Sequence, residues 1–388
     1  MTAPLEGIVV VSLEAAISAP FATRQLADLG ATVIKVERPE GDFARHYDSV
    51  VKGESAFFVW ANRGKQSVVL DVKEADDLAT FRALIAGADV FLHNLSPKAA
   101  ERLGIDAPTL VTAHPHLIAA EISGYGPGGP RTNDKAYDLA IQAEAGVFSV
   151  TGNDEMSKVG FSVADICSGM YAVASILAAL VRRERTGEGA AIQVSMLDSL
   201  AEWMSAPLYN AVYGGGQSPR TGRRHHAIAP YGTFPLADGS TVLIAVQKDA
   251  EWRSMADHLM GDASLGTDPR FATNASRIAN VDELEALIRA RLASLSADGA
   301  RAALAAGRIA TASVNDLEGV WRHEQLRARD RFVEVMTPSG PVEMLRSPFD
   351  ISGWQPPGAP VPALDEHDAA AVESVIDRGA GRAPVADQ

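Results

Sequence analysis

Through its first 200 residues the chain alternates between two hydrophobic periods, and this alternation restricts its fold more than any other feature. Short runs rich in β-branched residues read as strands at 8–13, 32–36, 67–72, 88–92, 117–122 and 190–194. Helical patterns lie between several of them, at 21–29, 74–86 and 136–148. Strands that alternate with helices build a parallel sheet covered by helices on both faces, so a Rossmann-like α/β domain is expected. Residues 163–183 read as one long helix, or as a turn followed by a helix, stopped by Thr186-Gly187-Glu188-Gly189. The turn-rich stretch Gly214-Gly215-Gly216-Gln217-Ser218-Pro219 marks a hinge. Beyond it, strands at 231–235 and 241–247 meet across Ala237-Asp238-Gly239-Ser240, where Asp-Gly signals a hairpin. Helical segments follow at 251–259 and 282–295, then strand-like runs at 310–314 and around Pro338-Ser339-Gly340. The expected organisation is a large α/β domain over 1–212, a linker over 213–230, and a smaller α+β domain over 231–337. A segment over 338–388 is expected to return to the large domain, and from Trp354 its Pro- and Ala-rich chain to wrap a surface or fray.

The balance of 35 basic against 49 acidic residues, a net charge of −14, excludes a polyanion such as nucleic acid as partner. A small anion still binds where a few Arg and Lys converge. The single cysteine, Cys167, excludes an internal disulfide and a cysteine-based zinc cluster. The opening Met1-Thr2-Ala3-Pro4-Leu5-Glu6-Gly7 has neither a basic nor an apolar signal region. The most apolar helical run, 170–181, is shorter than the roughly 20 residues that span a bilayer. A soluble, cytoplasmic protein is expected.

A parallel α/β start invites a dinucleotide reading, and Glu37 ends the second strand where an acidic residue would hold a ribose. Yet Glu14-Ala15-Ala16-Ile17-Ser18-Ala19-Pro20, after the first strand, contains no glycine that would let a pyrophosphate approach the backbone. Neither a Gly-x-Ser-x-Gly elbow nor a Walker loop is present. The pairs His114/His116 and His225/His226 lack carboxylates at metal-ligand spacing, and adjacent histidines are expected to point apart, so no metal is assigned. More informative is Ala136-Tyr137-Asp138-Leu139 followed by Val163-Ala164-Asp165-Ile166-Cys167-Ser168-Gly169. Asp165 stands where a helix should begin, and on the residue alone a helix cap and a catalytic role are equally served. The helix dipole would hold such a carboxylate ionised and oriented, as a nucleophile requires.

Several segments, in order, carry a resemblance. They are Gly30-Ala31-Thr32-Val33-Ile34-Lys35-Val36-Glu37, Asn62-Arg63-Gly64-Lys65, Leu70-Asp71-Val72-Lys73, and Ala88-Asp89-Val90 with Asn94. Then come Gly124-Tyr125-Gly126, Lys135-Ala136-Tyr137-Asp138, Ala164-Asp165 and Arg185-Thr186-Gly187-Glu188-Gly189. The chain resembles the class III CoA-transferases, the family that includes formyl-CoA transferase and α-methylacyl-CoA racemase. The resemblance implies Asp165 as nucleophile and acyl-CoA as substrate, with no permanently bound cofactor. It implies CoA contacts at Ile17, Ser18, Arg38, Leu70, Lys73, Asn94, Leu95, Arg102, Lys135 and Tyr137, with Arg38, Arg102 and Lys73 suited to phosphates. It further implies an interlocked homodimer and a reaction through an aspartyl-acyl anhydride and an aspartyl-CoA thioester. One position departs: Ile17 stands where transferases resembling formyl-CoA transferase have Gln, which argues against oxalate or formate.

The family hosts transfer and racemisation on one architecture. The racemase branch has His where this chain has Tyr137, and a phenol is a poor base at neutral pH. Tyr137 is suited instead to donate to a developing oxyanion, which favours transfer over racemisation. A non-catalytic CoA-binding protein would lack the nucleophile, and Asp165 is present. The segment from Arg220 to Gly232 resembles that of members acting on four- and five-carbon dicarboxylates such as succinate, itaconate, mesaconate, malate and citramalate. Arg223 and His226 are therefore candidates to hold a second carboxylate, against the alternative of a solvated linker. Succinyl-CoA is the expected donor.

Overall fold

A computed structural model of the chain describes residues 2–381. By internal contacts the chain divides into two compact units. The first takes the residues up to Val147, Lys158–Ala206 and those from Leu326 on, whereas the second takes Phe148–Ser157 and Pro207–Gln325.

Six strands build the sheet of the first unit: β1 (Val9–Leu13), β2 (Thr32–Glu37), β3 (Lys65–Val69), β4 (Val90–His93), β5 (Ile118–Ser123) and β6 (Ala190–Ser195). All pair in parallel, in the order β3-β2-β1-β4-β5-β6. The order reverses at β1, leaving a crevice beyond the C-terminal ends of β1 and β4, where ligands bind in open α/β sheets. Around the sheet run α1 (Ser18–Asp28), α2 (Ala56–Asn62), α3 (Ala75–Gly87), α4 (Pro97–Leu103), α5 (Ala107–Ala113), α6 (Asp138–Glu144), α8 (Val163–Thr186) and α9 (Met196–Trp203), whereas α7 (Val147–Val150) falls, but for its first residue, in the second unit. Alternate residues of each strand point to opposite faces. Val10, Val33, Leu92 and Ile118 accordingly pack with Leu26 of α1 and Ile176 of α8, whereas Val11, Ile34 and Phe91 pack with Phe81 and Leu84 of α3. Burial on both faces is why these strands read as unbroken apolar runs.

α8 is 24 residues long and apolar enough to cross a membrane by length and composition, longer than the run 170–181 had suggested. Its apolarity has a local cause, since 56% of its apolar window is buried inside the unit. At Gly169 it crosses α1 so closely that a Cβ would stand 2.8 Å from the Ser18 carbonyl oxygen.

The longer stretch of the second unit begins within α10 (Ser205–Tyr213) and contains β7 (Tyr231–Pro235), β8 (Thr241–Ala245), α11 (Asp249–Met255), α12 (Asn274–Ala279), α13 (Val281–Ala293), α14 (Ala297–Ala306), β9 (Ala310–Ser313) and α15 (Leu317–Trp321), up to α16 (Glu324–Ala328). β7, β8 and β9 form an antiparallel sheet whose core includes Phe234, Trp252, Phe271 and Ile288. The hairpin of β10 (Phe332–Thr337) and β11 (Gly340–Leu345), read from sequence as lying across the end of the smaller domain, belongs to the first unit. There Val335 packs against Phe58 and Val59 of α2.

The Pro- and Ala-rich tail is more ordered than its composition suggests. Its backbone runs beside β3, where Ser67 N donates to Glu366 O at 3.0 Å and Val69 N to the Asp365 carboxylate at 2.8 Å. These bonds satisfy an edge strand that would otherwise be open. α17 (Ala369–Gly381) then buries Val372 and Val375 in the cluster that holds α3, and Arg378 pairs with Asp89 at 2.9 Å. Residues 382–388 of this expected segment lie outside the described residues.

Beneath the β1–α1 turn lies a buried network of charges. Lys35 Nζ reaches Asp42 at 2.7 Å and Glu14 at 3.7 Å, and Lys65 Nζ reaches Glu14 at 2.7 Å, all four side chains being fully buried. Burial alone would push Lys35 down, but Asp42 and Glu14 outweigh it and hold its ammonium charged. Lys65 is pushed down to about 7, first by burial and further by Lys35, with Glu14 opposing. Removing one partner of a buried pair leaves the other charge uncompensated, at a cost of about 3–5 kcal/mol. Lys35→Met should therefore lower the unfolding free energy by about that amount in a denaturant titration. A loss below about 1 kcal/mol would show that the network does not bear on the fold.

Candidate active site

The crevice predicted by the strand order is occupied by a cavity of about 970 Å³ within the first unit. Ala15 to Ser18 follow β1 into it, Asn94 to Pro97 follow β4, Ile122 to Gly124 close β5, and Met196 follows β6. Residues of the segment 132–139 and of 158–166 form further wall, and Phe43, Tyr47, Phe57 and Trp60 make an aromatic side.

The turn after β1 takes an unusual backbone path. Ala16 has φ +62°, a left-handed conformation that non-glycine residues adopt at a cost of roughly 1 kcal/mol. Side chains hold it there. Ala15 N donates to Asn94 Oδ1 at 3.0 Å, Asn94 Nδ2 donates to Ala15 O at 2.8 Å, and Ala16 N donates to Asp42 Oδ1 at 3.1 Å. Asn94 Nδ2 also reaches Ser18 Oγ at 3.2 Å. Glu37 is spent elsewhere: it takes Arg45 through two bonds, at 2.6 and 2.9 Å, and accepts from Ser67 Oγ at 2.7 Å. Burial opposes ionisation, but Arg45 and Lys35 bring this carboxyl down to about 2. It is a structural ion, not a ribose ligand.

Asp165 faces this cavity, and its place in the helix differs from the one read in the sequence. α8 starts at Val163 with Ser162 at the N-cap, so Asp165 is the third helical residue. The capping bonds go to Asp138 on α6, whose Oδ1 accepts from Ala164 N at 2.7 Å and from Asp165 N at 3.3 Å. The Asp165 carboxylate makes no hydrogen bond among the described residues, and its oxygens are left to the cavity. Nor does the dipole hold it firmly ionised. Burial, and then the negative charge of Asp138, push its carboxyl up to about 7. Field and desolvation here oppose the dipole and win.

Of the other residues implied by the resemblance, Ile17, Ser18, Asn94, Leu95, Lys135 and Tyr137 line the same cavity. Tyr137 is 71% exposed and stands at the N-cap of α6. Arg38 does not line the cavity, but its guanidinium lies 6.0 Å from the centroid of Phe43, which does. Lys73 and Arg102 are exposed and outside the lining. The Leu70 side chain is buried in the core with Val68 and Phe81, so that residue can offer only its backbone. Arg223 lines a separate polar recess of the second unit with Arg220, Arg224 and Arg289. His226 stacks on His225, ring centroids 4.9 Å apart, and comes within 3.4 Å of the Asn210 amide. The two rings do not point apart, because they sit in a turn and not on an extended strand. Among the described residues no group of three or more His, Cys, Asp or Glu could hold a metal. The sequence reading missed Tyr47, Phe57 and Trp60, isolated aromatics with no local pattern, and Gln142, which is buried behind the cavity wall.

The chain is similar to known proteins over nearly its whole length. The sequence model of CoA-transferase family III matches residues 5–368. The acetyl-CoA:oxalate CoA-transferase of Acetobacter aceti is 35% identical over 95% of this chain and 94% of its own. A succinate–glutarate CoA-transferase of Agrobacterium fabrum is 33% identical over 94% of each. The crystal structure of a CaiB/BaiF family protein from Brucella suis superposes with a TM-score of 0.84 at 33% identity, covering 97% of this chain and 100% of the other. With a match of that extent, the chain belongs to CoA-transferase family III and is an enzyme of that class.

Proposed function

We propose that this enzyme moves CoA from succinyl-CoA to a small dicarboxylic acid of four or five carbons, with Asp165 as the covalent carrier. The observation that carries the reading is the Asp165 carboxylate itself, without a hydrogen bond among the described residues, facing a large cavity and raised to about 7. A carboxylate whose lone pairs are unspent and whose proton affinity is high is a better nucleophile than a capping one. Its oxygen attacks the thioester carbonyl carbon; a C–O bond forms, the C–S bond breaks and the electron pair leaves on CoA thiolate. The thiolate then attacks the aspartyl carbonyl of the mixed anhydride, giving aspartyl-CoA thioester and releasing the first acid as its carboxylate. The acceptor carboxylate runs both steps backwards, so every intermediate stays activated and no ATP is consumed. The phenol of Tyr137 donates to the oxyanion that develops at the carbonyl under attack. Closure of the cavity around the bound ester keeps water from the anhydride.

The dicarboxylate reading draws on the succinate–glutarate relative and on Ile17, which is buried at the cavity wall. An aliphatic wall there suits a methylene chain better than the two bare carboxylates of oxalate, even though an oxalate transferase is among the relatives. Tyr137 stands in the place of the racemase histidine, and its hydroxyl is suited to donate to an oxyanion.

Asp165→Ala should lower transfer by at least about a thousandfold while CoA still binds. Hydroxylamine or borohydride added during turnover should modify Asp165, as seen by peptide mass spectrometry. Activity of the variant within about tenfold of wild type would refute the covalent route. Against succinyl-CoA, a panel of glutarate, itaconate, mesaconate, malate, citramalate and oxalate should show dicarboxylates with a carbon spacer ahead of oxalate. Oxalate as the preferred acceptor would overturn the substrate assignment, and exchange of the α-proton in the same tubes would reveal a racemase.

We also infer a homodimer. α10 buries none of its residues, and Leu208, Tyr209, Val212 and Tyr213 are each more than half exposed. A helix this apolar and this bare needs a partner surface, and a second copy supplies one. Light scattering should report about twice the 41.0 kDa chain mass, and a monomer at micromolar concentration would exclude it.

A further inference from the structure

We propose that Asp138 and Gln142 act together as a brace for the nucleophile: they fix the first turn of α8 and the chain leading into it, and the charge on Asp138 keeps Asp165 reactive. This rests on Asp165 being the nucleophile. The two side chains lie four residues apart on α6 and therefore on one face of it. Asp138 Oδ1 accepts the amides of Ala164 and Asp165, and its Oδ2 accepts from Gln142 Nε2 at 2.7 Å. Gln142 is 1% exposed, and its Oε1 accepts from Val159 N at 2.9 Å while Nε2 also donates to Phe161 O at 3.3 Å. Two side chains thus grip four backbone groups of the stretch 159–165. Gly160, Phe161, Ser162 and Asp165 of that stretch line the cavity, so wall and nucleophile are held as one piece.

Capping alone does not account for this arrangement. A cap needs one acceptor, and Ser, Thr or Asn would serve without placing a second carboxylate beside Asp165. Nor does a cap need a buried amide that reaches back to Val159 and Phe161. Two like charges held close are costly, and the cost falls on the ionised form of Asp165. After burial, Asp138 is the other cause of the rise of Asp165 to about 7. The further titratable groups lining the cavity are Tyr47, Asp134, Lys135, Tyr137 and Lys158, with Cys167 two residues along α8 from Asp165. The attacking form is the ionised one. Activity governed by Asp165 should then rise as pH climbs through about 7 and fade below it, and loss of the Asp138 charge should move that limb to lower pH.

The test uses the full-length protein and two variants with different faults. Asp138→Asn keeps an acceptor oxygen for the two amides and removes the charge. Gln142→Leu keeps the charge and removes the grip on Val159 and Phe161. Carbodiimide coupling to Asp165 in the substrate-free protein, followed by peptide mass spectrometry across the neutral range, reads its ionisation independently of any substrate. In Asp138→Asn the midpoint should fall by about one unit or more. In Gln142→Leu it should stay near the wild-type value, while kcat with succinyl-CoA and glutarate falls by at least about tenfold and CoA affinity stays within about threefold. An unchanged midpoint in Asp138→Asn, or a Gln142→Leu kcat within about twofold of wild type, would overturn the brace. Should Asp138→Asn fail to fold by circular dichroism, Gln142→Leu and Gln142→Met carry the decision through the same split between kcat and CoA affinity. Asp165→Ala separates the two proposals. If it stays active, the nucleophile assignment fails. If it is dead while both brace variants behave as wild type, only the brace fails.

Discussion

The cavity floor depends on Asp42. One of its carboxylate oxygens holds the ammonium of Lys35, and the other accepts the amides of Ala16 and Ala44. Two buried lysines and two buried acids are a poor way to gain stability, because the desolvation of each ion offsets most of its attraction. What the network supplies is shape. Ala16 must adopt a left-handed backbone without the freedom of glycine, and the hydrogen bonds from Asp42 and Asn94 supply the determination that glycine would otherwise make unnecessary. Through Lys35 and Glu14 the same network reaches Lys65 on β3, so three strands and the ligand-facing turn share one electrostatic centre.

This explains how the strand order of a dinucleotide-binding sheet serves a different ligand. Topology puts the crevice beyond β1 and β4 in either case. The wiring of the crevice differs. The acidic residue that ends β2, placed where a ribose is often held, is bound by Arg45 and Ser67 and closed to ligands. The first turn offers Ala, Ile and Ser in place of a glycine cradle, with Asn94 bracing it from the end of β4. Fold decides where the site lies, and the side chains at the strand ends decide what it takes.

The sheet was legible because burial on both faces leaves a strong mark. All six strands of the first unit have ends within three residues of the runs read from the sequence, β3 departing most. α2, α4, α5 and α9 were not legible, being seven or eight residues long and too short for a helical period to declare itself. For the tail, composition left wrapping and fraying as alternatives, because the backbone bonds to β3 and the packing of α17 on α3 that order it are not recorded in composition. At the site, Asp165 was found through the motifs around it, but its place in the helix was misjudged by three residues, because the cap comes from a separate helix. The aromatic wall was invisible, since Tyr47, Phe57 and Trp60 meet only through the third dimension.

That transfer of the cap from Asp165 to Asp138 carries chemical weight. A carboxylate that accepts the first amides of a helix is stabilised as an anion, so its proton affinity drops and its lone pairs are engaged. Those properties suit a cap and weaken a nucleophile. Assigning the amides to Asp138 leaves Asp165 near the helix start with neither lone pair committed, in surroundings that oppose its charge. Its ground state is thereby raised while a neutral acyl adduct is not, since forming the anhydride moves the negative charge from Asp165 to the sulfur of the CoA thiolate. The repulsion between the two aspartates is relieved as the first bond forms, and the energy that holds them together in the free enzyme favours the covalent intermediate.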